Sequence, residues 1–168
     1  MGTGLRAGAL ATCCLIGAAG AACTPASLEH GAPTADALAR DVLHALAQRN
    51  LPRLRELAVN ETEFSAVVWP ELPAARPERN LPREYVWGDL RGKSEAGLRR
   101  VVTASGGRPF SLVRVQFTGG TTPYRSYLIH RAASVTVFGE DGREETLRLF
   151  GSVLERAGRF KVFSYVVD

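Results

Sequence analysis

Leu38, Val42 and Leu46 stand four residues apart, and Ala39 and Leu43 widen the stripe they form. This spacing predicts an amphipathic helix that ends near Asn50. Thr34 is placed to cap it, and Asp36 suits the positive end of the helix dipole. Leu51, Leu54, Leu57 and Ala58 predict a second, shorter helix that opens at Pro52 and breaks at Asn60. Residues 61–68 read as a third helical piece before Trp69-Pro70. A further helix over residues 94–103 has Leu98, Val101 and Val102 as its apolar face, with Ser94 as its cap. Ser105-Gly106-Gly107 ends it.

From residue 110 the pattern is strand-like. Residues 110–117, FSLVRVQF, change phase at Leu112-Val113, which suggests a bulge. Residues 124–138 form one long run, and Gly139-Glu140-Asp141-Gly142 is a tight hairpin signal. Residues 145–156 and 160–167 give two more strands around a turn at Ala157-Gly158-Arg159. Four long strands joined by short turns predict an antiparallel meander. Helices first and strands after them make the chain α+β, with the helices covering one sheet face.

Between the two halves, residues 70–83 hold Pro70, Pro73, Pro77 and Pro82. Regular helix or central strand is disfavoured there. We expect a long ordered loop within one domain, since neither half alone has the length for a comfortable core. Trp69, Tyr85 and Trp87 flank this loop and are expected to pack together, either pinning it or lining a pocket.

Alternation along residues 124–138 puts Tyr127, Ile129, Arg131, Ala133, Val135 and Val137 on one face, the expected core face. Arg131 is the one formal charge there. A buried guanidinium needs a partner, an anionic ligand at a pocket mouth or a carboxylate such as Glu63, Glu71 or Asp89, unless the side chain reaches water at the sheet end. The other face, with Leu128, His130, Ala132, Ser134, Thr136 and Phe138, is expected to meet solvent or a second copy in a homodimer. His130 and His44 read as surface or packed residues. The candidate ligand residues are therefore Arg131, Tyr127, Trp69, Tyr85 and Trp87, with no catalytic set assigned.

Composition narrows the chemistry. The net charge of +4 is spread among interspersed acids and bases, and Lys93 and Lys161 are the only lysines. No basic run interleaves with aromatics, so nucleic acid is not an expected partner. Metal and cofactor motifs are absent from the sequence, and so is a nucleophile elbow. The three cysteines, Cys13, Cys14 and Cys23, all lie in the first 23 residues. There Arg6 precedes an apolar run too short for a stable membrane anchor, and Gly20-Ala21-Ala22 precede Cys23. This is the layout of a secretory signal over residues 1–22.

Gly20-Ala21-Ala22-Cys23 resembles the lipobox of bacterial lipoproteins, with Gly20 where that family usually has a larger apolar residue. The resemblance implies cleavage before Cys23, lipid on its sulfur and attachment to the membrane. Thr24 after the cysteine implies outer-membrane sorting, facing the periplasm. The alternative is an ordinary signal cut nearby. Residues 23–33, TPASLEHGAP after the cysteine, would then tether a single domain over residues 34–168. The order and length of its elements resemble the NTF2-like, cystatin-like cone, in which a curved sheet wraps helices around a pocket. The function this implies is a non-catalytic envelope lipoprotein that binds a small ligand or another envelope protein. An enzyme using the pocket, or a structural assembly factor, is the alternative.

Overall fold

The computed structural model describes Met1 and residues 27–166. Cys13, Cys14 and Cys23, with the expected signal segment around them, lie outside the described residues. Helix α1 (Ala35–Ala47) forms where the four-residue stripe predicts it, burying Leu38, Ala39, Val42, Leu43 and Leu46. Thr34 Oγ1 accepts from the Ala37 amide at 3.0 Å, closing the helix start. Helix α2 (Leu51–Glu56) is capped by Asn50 and α3 (Glu61–Glu63) by Asn60, the latter with a full capping box to Glu63. Helix α3 runs into a π-helical turn, Phe64–Val68.

The proline-rich loop is ordered as three successive 3₁₀ turns, Trp69–Glu71, Pro73–Ala75 and Pro77–Arg79. Each has proline in its opening turn, where a missing N–H costs nothing. Helix α4 (Arg83–Ser105) is much longer than the segment expected from residue 94 onward. Ser94 is inside it, and its hydroxyl accepts from the Tyr165 amide at 3.1 Å instead of capping. In the first half of α4 only Val86, Trp87 and Leu90 are packed on apolar side chains, and Gly88 and Gly92 interrupt the helical signal around them. Gly97 marks its closest approach to the C-terminal segment: a methyl there would collide with the Tyr165 carbonyl.

The four expected strands appear as seven: β1 (Ser111–Phe117), β2 (Thr121–Pro123), β3 (Leu128–Arg131), β4 (Ala133–Phe138), β5 (Glu144–Leu147), β6 (Ser152–Arg156) and β7 (Arg159–Ser164). They form two antiparallel sheets, ordered β1-β4-β5 and β2-β3-β6-β7. The hairpin at Gly139 to Gly142 joins β4 to β5, with Val135 and Val137 fully buried beside it. The bulge sits at Leu112/Arg114, as the phase change indicates. Backbone bonds bridge the corner between the sheets: Thr118 N donates to Ala132 O at 3.1 Å and Ala133 N to Gly151 O at 3.4 Å, while Arg131 N to Gly120 O at 2.9 Å extends the β2–β3 ladder up to it.

Two apolar clusters result. The larger joins α1, Leu54 and Leu57, Leu98 and Val101 of α4, β4, and Val153 and Val162. The smaller gathers Leu28, Val59, Phe64, Val67, Val68, Tyr127, Ile129 and Leu154. Leu28 and Ala32 are buried, and Ala32 exchanges backbone bonds of 2.9 and 2.8 Å with Phe160. The C-terminal part of the expected tether is thus docked on β7.

Candidate functional site

The chain passes from one sheet to the other at Ala132, whose φ is 51°. A left-handed residue inside a strand run breaks the alternation and turns the side chains beside it. Gly119 and Gly120 face this break. A Cβ on Gly119 would lie 3.0 Å from the Cβ atoms of both Arg131 and Ala132, and Gly120 has φ 76°. Glycine is needed there because the two chain segments approach closely and bend together.

A cavity of about 540 Å³ opens at this corner. Its apolar wall is Ile129, Phe150 and Phe163, and Thr118, Ser134, Thr146, Ser152 and Ser164 bring hydroxyls to it. Arg131 and Arg148 also line it, and no Asp or Glu among the described residues does. The volume suits a small molecule. The chemistry available is recognition of negative charge by guanidinium, beside an apolar surface.

The structure corrects the placement of Arg131. Its face-mates Tyr127, Ile129, Ala133, Val135 and Val137 are all buried, but Arg131 itself is exposed at the break. None of the three carboxylates considered as its partner meets it. Glu63 binds Lys161, Asp89 binds Lys93 at 2.7 Å, and Glu71 accepts from the Ser126 amide at 3.1 Å. Burial pushes the Glu71 carboxyl up, but hydrogen bonds from Ser126 and the Arg125 backbone outweigh it and hold it below the usual value. Among the described residues no hydrogen bond or ion pair engages the Arg131 guanidinium. Arg148 does have a partner of its own.

The aromatic candidates do not gather around this cavity. Trp69 and Trp87 pack on Phe64, with ring centroids 6.2 and 5.1 Å away. Tyr85 is 67% exposed and does not join them, contrary to expectation, because it lies on the solvent side of α4. Tyr127 stacks on Tyr124 at 4.5 Å, and its hydroxyl donates to Val68 O at 3.2 Å. Burial pushes its phenol pKa up. Trp87 lines a separate cavity of about 300 Å³ with Leu90 and Phe163, and its buried Nε1 lacks a partner among the described residues.

Two arrangements had no legible signal in the sequence. Lys161 and Glu63 are almost fully buried and form a bidentate pair, Nζ to Oε1 3.0 Å and Nζ to Oε2 2.8 Å. The same carboxylate accepts from the amides of Glu29 at 2.7 Å and Asn60 at 2.9 Å. The face expected to meet solvent holds the other. His130 Nε2 is 2.7 Å from Glu155 Oε2, and its Nδ1 is 2.9 Å from Thr121 Oγ1. Phe117 stacks on the imidazole at 4.7 Å, and Phe160 lies 6.2 Å away. Thr136 on this face is also buried.

Among the described residues no helix is long and apolar enough to cross a membrane. No family model, no characterised protein and no solved structure matches the chain.

Proposed function

We propose that the chain is an exported lipoprotein, anchored through Cys23 in the cell envelope on the periplasmic side of the outer membrane, whose NTF2-like domain holds a small ligand without catalysing a reaction. The observation that carries the ligand reading is the corner cavity with Arg131 unpaired at its wall. The cone reading draws on the backbone bonds that run across both sheet breaks, which suit a single four-pass meander bent at Ala132. The address rests on the small residues before Cys23. Leu28 is docked on the domain, and the four residues between it and Cys23, five Cα-to-Cα steps, reach at most about 18 Å. Lipid on Cys23 would therefore hold the domain close to the bilayer.

Two measurements test this. Wild type is expected to partition into detergent and to incorporate labelled fatty acid, and Cys23→Ser to do neither. Equal partitioning of the two would remove the lipoprotein reading. Native mass spectrometry of protein purified from the envelope is expected to show a bound small molecule. A mass matching the bare polypeptide, after allowance for lipid, would remove the carrier reading.

One observation favours a second reading, a hydrolase. In the neutral His130 ring the tautomer that satisfies both partners donates Nε2–H to Glu155 and accepts the Thr121 hydroxyl proton at Nδ1. That is the order of nucleophile, base and orienting carboxylate. We rank it second because the imidazole is packed against Phe117, and the corner cavity does not include Thr121. Hydrolysis of p-nitrophenyl acetate that disappears in Thr121→Ala would reverse the order.

A further inference from the structure

Building on the carrier reading, we infer that the corner cavity takes an anionic amphiphile, with one carboxylate or phosphate head against Arg131 and a short apolar tail along Ile129 and Phe163. The Arg131 guanidinium lines the cavity and no carboxylate among the described residues does, so the wall beside Arg131 favours negative charge. The acids that would neutralise Arg131 are committed elsewhere: Glu63 to Lys161, Asp89 to Lys93 and Glu71 to the Ser126 amide. The backbone around Arg131 is fixed by the Arg131 N to Gly120 O and Gly119 N to Arg131 O bonds, so the guanidinium is carried on a rigid strand end. Ser134 and Ser152 flank it with hydroxyls that can donate to a head-group oxygen.

The head alone does not account for the rest of the site. About 540 Å³ is far more than one phosphate or carboxylate needs, and Ile129 and Phe163 give the remaining wall an apolar surface. A ligand that places charge at Arg131 and hydrocarbon on that wall uses both. A free inorganic anion uses only the first, and a neutral hydrocarbon only the second.

Calorimetric titration of the full chain with three probes tests this: octanoate, octanol and inorganic phosphate. Saturable one-to-one binding of octanoate is expected, at least tenfold tighter than octanol or phosphate. Arg131→Met should weaken octanoate at least tenfold while leaving the ligand-free melting temperature unchanged, and Arg131→Lys should recover part of the loss. Arg114→Met, at an exposed site outside the cavity, controls for net charge and should bind as wild type does. Octanol binding as tightly as octanoate would overturn the anionic head. Phosphate binding as tightly would overturn the tail. Unchanged octanoate binding in Arg131→Met, or no binding of octanoate, would overturn the inference outright. The carrier reading itself is judged separately by the mass of the envelope-purified protein.

Discussion

Val153 and Leu154 are neighbours on β6, yet they enter different cores. Val153 joins a cluster of aliphatic side chains from α1, α4 and β4, closed by one buried phenol. Tyr165 donates there to Leu54 O at 2.6 Å. Leu154 joins a smaller cluster built on the π turn, and Lys161, its cross-strand partner on β7, carries a charge into the interior. The first core is held by area removed from water, which is non-directional and tolerant of detail. The second depends on one lysine meeting one carboxylate with good geometry, since two desolvated charges offset their cost only when fully paired. Its ion pair also ties three distant segments together: the docked residues before α1, the start of α3, and β7.

The sharpest way to break this comparison is to put a charge into the first core. Val135→Asp leaves a carboxylate among aliphatic side chains and should cost more than about 4 kcal/mol, read from urea unfolding. A variant that melts like the parent would show that the β4 face is not the core. Next is Lys161→Met, which strands the Glu63 carboxylate and should cost about 3–5 kcal/mol. Adding Glu63→Gln should recover part of that loss, because the uncompensated charge is gone although the new NH2 group faces one of the two amides that donate to Glu63. If the double variant is no better than the single one, the pair is not the reason the second core closes.

The smallest of these effects compares the two buried phenols. Burial pushes the Tyr165 phenol pKa up, as it does that of Tyr127. A raised folded value means that this stability is fully present below the ordinary tyrosine value of about 10 and is lost as pH rises through and beyond it. Alkaline unfolding should therefore steepen above about pH 10. Tyr165→Phe removes the bond to Leu54 O and should cost about 1–2 kcal/mol at neutral pH. It should also flatten part of the alkaline slope, the remainder belonging to Tyr127. A slope unchanged by Tyr165→Phe would assign the alkaline transition to other groups.

Much of the first core was legible before any coordinates. The stripe of Leu38, Val42 and Leu46, the Thr34 cap, the Gly139 to Gly142 hairpin and the burial of Val135 and Val137 follow from local spacing. A helix or hairpin closes its own hydrogen bonds within a few residues, so its pattern is written locally. The α+β class follows from the order of those elements. The N-terminal half of α4 was not legible, because Gly88 and Gly92 weaken the helical signal around Val86, Trp87 and Leu90.

The candidate site was decided by tertiary structure. Alternation alone places Arg131, the one charge on its face, in the core, whereas the structure leaves it exposed. The left-handed Ala132 breaks that alternation, and nothing in the run YRSYLIHRAASVTVF marks alanine as the residue that takes φ 51°. It does so because Gly119 and Gly120 come opposite it only after the strands have paired. The same holds for Glu63 and Lys161, which are 98 positions apart. Sequence spacing carries no information on which of many carboxylates a buried lysine will meet. That choice is made by the packing of the π turn on the sheet, through the cost of leaving either charge alone.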